Sequence, residues 1–84
     1  MQQIRNGRDN LIGRNIRRLR IERGLRSMDV ICRLQLKGIG ISSSTYSKVE
    51  SGRSNPSVDM LLALTEVFQC SYDEFFAEPD RTGQ

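Results

Sequence analysis

The feature that most limits what this chain can fold into is the step at which its apolar residues recur. They return every three or four residues in five blocks, each opened by a serine or closed by a glycine. Such steps bring side chains onto one face of a 3.6-residue helix, whereas a half-buried strand alternates every second residue. In residues 10–23, Ile12, Ile16 and Leu19 share a face and the arginines take the other side; Gly24 follows where a helix commonly ends. Ser27 is the cap candidate of a second helix, whose stripe of Val30, Ile31 and Leu34 extends to Leu36. The stretch Lys37-Gly38-Ile39-Gly40-Ile41 reads as a turn. Ser42 then caps a third helix running to Glu50, with Thr45, Tyr46 and Val49 facing inward and Ser43, Ser44, Ser47 and Lys48 outward. After the loop Arg53 to Pro56, Ser57 caps a fourth helix with a broad apolar face: Val58, Leu61, Leu62, Leu64, Val67 and Phe68. A fifth opens with Ser71 and Glu74 at capping-box spacing and holds Phe75 and Phe76 before Pro79. The expectation is an all-α, five-helix domain over 10–78, between a flexible arm 1–9 and a flexible tail 79–84.

At 84 residues the chain holds one domain, with a core of about a dozen side chains. A hydrophobic share of 37% with 27% charged residues is too apolar for a wholly disordered chain, so it folds. No apolar run approaches the ~20 residues of a membrane span, and Met1 to Arg8 lacks the apolar stretch of a signal peptide, so a cytoplasmic location is expected. Cys32 and Cys70 stand far apart with no histidine anywhere, which fits neither a disulfide framework nor a zinc site; both read as reduced, small packing residues. No nucleophile sits in a recognisable arrangement with a base and no cofactor motif is present, so catalysis, metal binding and a small-molecule substrate are not expected.

Charge is unevenly spread. Residues 1–26 carry a net +6, residues 27–56 +2 and residues 57–84 −5. A basic front half suits a face that meets a polyanion, although the arginines of the first helix are equally what a solvated helix face would show.

The segments Ile12-Gly13, Ile16-Arg17-Arg18-Leu19-Arg20, Glu22-Arg23-Gly24-Leu25, Ser44 through Ser57 and Ser71 through Phe76, taken in this order, carry a resemblance. The chain is similar to the lambda-repressor-like, or Xre-type, family of helix-turn-helix proteins, which includes phage repressors and Cro. The resemblance implies that helices 2 and 3 form the two-helix unit, with helix 3 in the major groove of double-stranded DNA. It implies base contacts from Ser42, Ser43, Ser44 and Lys48, with Lys48 suited to the guanine acceptors. Phosphate contacts are implied for Ser27, Ser47, Arg53 and Asn55, and Arg14 and Arg17 are split between phosphate contact and plain solvation. The resemblance also implies a partly buried ion pair between Arg20 and Glu50.

Two departures stand out. Arg26-Ser27 replaces the serine-glutamine pair common at the second helix cap, and the spacing from Leu25 to Ser42 exceeds the usual pattern by about five residues. The excess, in 35–41, implies a longer helix 2 or a larger turn with Leu36, Ile39 and Ile41 packed beneath it and Lys37 in reach of the DNA backbone. Function then has two readings: a sequence-specific transcriptional regulator, or a protein-interaction module of the same fold such as an antitoxin or coactivator-like adaptor. For the regulator, Tyr72, Phe75 and Phe76 either form a homodimer surface or close the core.

Overall fold

In the computed structural model, which describes residues 10–78, the chain forms four α-helices and one 3₁₀ helix. They are α1 (Leu11–Glu22), α2 (Ser27–Leu36), α3 (Ser43–Ser51), α4 (Val58–Phe68) and the 3₁₀ helix Tyr72–Phe76. No strand forms among the described residues, and no helix there is long and apolar enough to cross a membrane. The arm 1–9 and the tail 79–84 lie outside the described residues.

The three- and four-residue steps supply the core. Ile12, Ile16 and Leu19 of α1 meet Val30, Ile31 and Leu34 of α2, Tyr46 and Val49 of α3, and the Leu61, Leu64 and Phe68 row of α4. Each such side chain contributes about 1.5–3 kcal/mol on leaving water, and a domain this small needs all of them. α1 packs on α3 and on the 3₁₀ helix, and α2 on α3 and α4. The caps are local chemistry. Ser57 Oγ accepts from the Met60 amide at 3.0 Å, and at the far end of α4 Arg23 Nε donates to the Phe68 carbonyl at 2.7 Å. A cation there also suits the negative end of the helix.

Several expectations are corrected. The fifth helix is a 3₁₀ turn, and its capping box does not form. Ser71 makes no side-chain cap, and the Glu74 carboxylate turns to Arg18 at 3.4 Å instead of reaching back to the Ser71 amide. Phe75 is fully buried and closes the core, so it is not available to a dimer surface; Phe76 is 37% exposed. Leu62 and Thr45 face solvent, because a helix packed on one side buries only about half its turn. Cys32 is exposed rather than a packing residue, while Cys70 packs against the core, where burial raises its thiol pKa; both are free.

Asn15 is the one buried polar residue among the core positions, and periodicity did not mark it. Its Nδ2 donates to the carbonyls of Phe75 and Ala77, both at 2.9 Å, and so ties α1 to the end of the 3₁₀ helix. Asn15→Ala leaves the buried Phe75 carbonyl without its donor. Thermal or urea unfolding is expected to report a loss of about 2 kcal/mol, within the range for an orphaned buried polar group. A loss too small to measure would mean that water replaces the amide.

Candidate nucleic-acid interface

α3 is held by four separate devices, which leave one side of it uncommitted. At its start, Ser42 Oγ accepts from the Thr45 amide at 3.1 Å and donates to Thr45 Oγ1 at 3.1 Å. At its end, Gly52 adopts φ 84°, a left-handed angle that turns the chain so that Arg53 N–H returns to the Lys48 carbonyl at 2.8 Å. Along its inner face, Tyr46 and Val49 enter the core.

The fourth device is a polar brace to α1. Arg20 Nε donates to Glu50 Oε2 at 2.8 Å and Nη2 to Glu50 Oε1 at 3.2 Å, a two-pronged pair with side chains only 14% and 11% exposed. The third guanidinium arm donates to the Leu25 carbonyl at 3.1 Å, and the Tyr46 hydroxyl donates to Glu50 Oε2. The carboxylate raises the Arg20 pKa, chiefly through the hydrogen bond, and burial raises that of Tyr46, with the Glu50 bond adding to it. Arg20 therefore stays charged and the Tyr46 phenol protonated throughout the ordinary pH range. Beside it, Asn10 Nδ2 donates to the Glu50 carbonyl at 2.9 Å.

Backbone approach completes the brace. A Cβ on Gly13 would lie 2.5 Å from the Val49 carbonyl oxygen and 2.6 Å from that of Glu50. Only a residue without a side chain lets α1 lie this close to the end of α3.

What remains outward on α3 is Ser43, Ser44, Thr45, Ser47, Lys48 and Ser51, all exposed. Ser42 differs from its expected role, because its hydroxyl hydrogen and one lone pair are already used in the cap. Arg53 is exposed just past α3, and Asn55 is partly buried in the following loop. Arg17 lies four residues after Gly13 and three before Arg20, hence along the side of α1 that meets α3, with Arg14 further round; both are exposed.

The start of α2 departs from expectation. Ser27 is not the cap but the first helical residue, and Arg26 occupies the cap position. An arginine has nothing to accept with, so the helix amides get no side-chain acceptor from it. Asp29 instead reaches back to the Arg26 amide at 2.8 Å and pairs with its guanidinium, which holds the Asp29 carboxyl below the usual range. A carboxylate at this helix end weakens its pull on a phosphate, and the exposed Arg26 guanidinium is the cation that offsets it. Sequence reading missed Arg26, although its place before Ser27 was the available signal.

The connection before α3 is resolved by division. Gln35 and Leu36 lengthen α2, and 37–42 form the turn. Ile41 is buried and Ile39 partly so, but Leu36 is 88% exposed and supports nothing. Gln35 Nε2 donates to the Ile41 carbonyl at 3.2 Å. Lys37 instead pairs with Glu66 of α4 at 2.7 Å, in a solvent-exposed ion pair.

These elements carry a match to known proteins. A family model described as helix-turn-helix covers residues 35–75, from the last turn of α2 into the 3₁₀ helix. An HTH-type transcriptional regulator of Sinorhizobium fredii, y4dJ, itself uncharacterized, is 36% identical over 72 residues. That alignment spans 86% of this chain and 87% of the relative. The chain belongs to the lambda-repressor-like helix-turn-helix family. Within this helix-turn-helix chain the matched stretch holds α3 and its C-terminal device entire, whereas Arg20 and Gly13, which brace α3 from α1, lie before it.

Proposed function

We propose that this chain is a sequence-specific DNA-binding transcriptional regulator, a repressor of bacterial or phage type. α2 and α3 form its helix-turn-helix, and α3 lies in the major groove. The observation that carries the reading is how the cations divide. Arg18, Arg20, Arg23, Arg26 and Lys37 pair with carboxylates of the chain, whereas Arg14, Arg17, Arg33, Lys48 and Arg53 make no ion pair among the described residues. Apart from Arg33 on α2, the second group stands on α3, just after it, and on the α1 face around it. A fold that spends its carboxylates elsewhere leaves these positions charged for a polyanion.

Lys48, Ser43 and Ser44 contact base edges in this reading, with Ser42 limited to its remaining lone pair. Ser47, Arg53, Asn55, Arg17 and Arg14, together with Ser27 at the start of α2, meet phosphate and set the register without reading sequence. A two-fold dimer would place two such helices one turn of DNA apart. Its contact through Tyr72 and Phe76 is supported by the exposure of Phe76, whose ring lies 5.4 Å from that of Tyr72.

The test is a fluorescence-anisotropy titration in two parts. Against random duplex, affinity falls as salt rises, with a log-log slope of about −0.9 per phosphate neutralised. Against a site selected from a random pool, Lys48→Ala costs about 1–3 kcal/mol, and much less on random duplex. An affinity indifferent to salt would overturn the reading in favour of a protein-interaction module. Equal losses on both duplexes would demote Lys48 to a phosphate contact.

A further inference from the structure

Two anomalies meet at Asn10, the residue before α1. Its backbone is left-handed, at φ 54° and ψ 44°, which is uncommon for any residue with a side chain, although asparagine tolerates it better than most. Its side-chain oxygen Oδ1 is buried and has no hydrogen-bond partner among the described residues. A cap asparagine normally has an extended backbone and offers that oxygen to an amide of its own helix; Asn10 makes no such bond. The start of α1 accounts for neither anomaly, so the reason lies in what the side chain touches instead.

It touches the far end of α3. The last carbonyls of a helix find no partner within it. The Lys48 carbonyl is met by the amides of Arg53 and Ser54, and that of Val49 by the Gly52 amide, all from the chain's own turn. The Glu50 carbonyl is met from outside, by Asn10 Nδ2 at 2.9 Å. The same side chain lies against the glycine that turns the chain. A Cβ on Gly52 would stand 2.6 Å from Asn10 Cγ and 2.7 Å from its Oδ1, and a Cβ on Gly13 2.4 Å from that oxygen. The Asn10 amide thus fills a slot between a glycine of α1 and the left-handed glycine from which Arg53 departs.

We infer that Asn10 is a positioning residue for DNA binding: it fixes Gly52 and thereby aims the Arg53 guanidinium at a phosphate. This rests on the reading of Arg53 as a phosphate contact. Arg53 is exposed and makes no ion pair among the described residues, so its direction is set by the backbone from which it springs. Fixing that backbone before DNA arrives removes an ordering cost that binding would otherwise carry.

A double-mutant cycle tests this, read by fluorescence anisotropy on random duplex across salt with urea unfolding alongside. Asn10→Gly empties the slot but relieves both anomalies, which offsets the lost hydrogen bond and keeps the unfolding midpoint near that of wild type. DNA affinity nevertheless falls about tenfold, and the log-log salt slope shrinks by about 0.9, the loss of one phosphate contact. Arg53→Ala gives a loss of the same size. Adding Asn10→Gly to it changes little more, because the side chain that Asn10 aims is gone. Additive losses would overturn the inference, since Asn10 would then act independently of Arg53. So would an Asn10→Gly chain that binds as wild type does, or one whose lost affinity is matched by lost folding. The reading of Arg53 fails on a separate arm, where Arg53→Ala changes neither affinity nor slope, and the role of Asn10 falls with it.

Discussion

Arg20→Ala is expected to lower the unfolding free energy by about 3 kcal/mol, the lower end of the range for breaking a buried ion pair, because a little water still reaches this one. The substitution removes both bonds to Glu50 and the bond to the Leu25 carbonyl, and leaves a carboxylate that is 11% exposed with only the Tyr46 hydroxyl beside it. For a domain of this size the loss lowers Tm by roughly 12–24 °C. The damage extends to recognition, because Glu50 joins the last turn of α3 to α1. Replacing both partners by apolar side chains of similar volume, Arg20→Met with Glu50→Leu, should cost less than the two single changes together, since no charge is then left alone. An unfolding free energy for Arg20→Ala, measured by urea titration, within about 1 kcal/mol of wild type would show that the pair behaves as an ordinary surface bridge.

Gly13→Ala should be nearly as damaging, at about 3 kcal/mol, although it adds a single methyl group to a helix and alanine is the better helix former. The obstacle is backbone. The carbonyl oxygens of Val49 and Glu50 and the Asn10 side chain all stand within 2.6 Å of the new carbon. Asn10 has rotamers to yield with, but the carbonyls move only if α3 moves. Relief thus requires α1 and α3 to separate, which stretches the Arg20–Glu50 bonds and shifts the outward serines and Lys48. A DNA affinity that falls more than the stability loss explains would be the sign of that shift. If Gly13→Ala were instead neutral or stabilising, as helix propensity alone predicts, the close approach of the two helices would be refuted.

These two residues mark how far the chain could be read before folding. Glu50 was legible because family resemblance pairs it with Arg20, and Gly13 was visible only as part of a motif, without its reason. The caps of α3 and α4 were legible because a serine hydroxyl meets an amide three residues on, within one turn of chain. At α2 the same rule misled, since Arg26 and Asp29 solve that end with a carboxylate instead. Asn15 and Arg23 were opaque, because their acceptors, the carbonyls of Phe75, Ala77 and Phe68, stand 45 or more residues away.

The sequence by itself determined that the chain is helical, where its four main helices begin and end to within a residue or two, and which family it resembles. All of these depend on interactions spanning a few residues. Only the tertiary structure decided which members of each apolar stripe are inside. Leu36 and Leu62 satisfy the helical step as well as Leu34 and Leu61 do, yet lie exposed because no neighbouring element reaches them. It also decided that Phe75 rather than Phe76 closes the core, that Lys37 is spent on Glu66, and that Ser42 is half spent on Thr45. The physical reason is common to all of them. Helix periodicity is a property of one segment, whereas burial and charge pairing belong to two segments at once, and their meeting is settled by the packing of the whole chain.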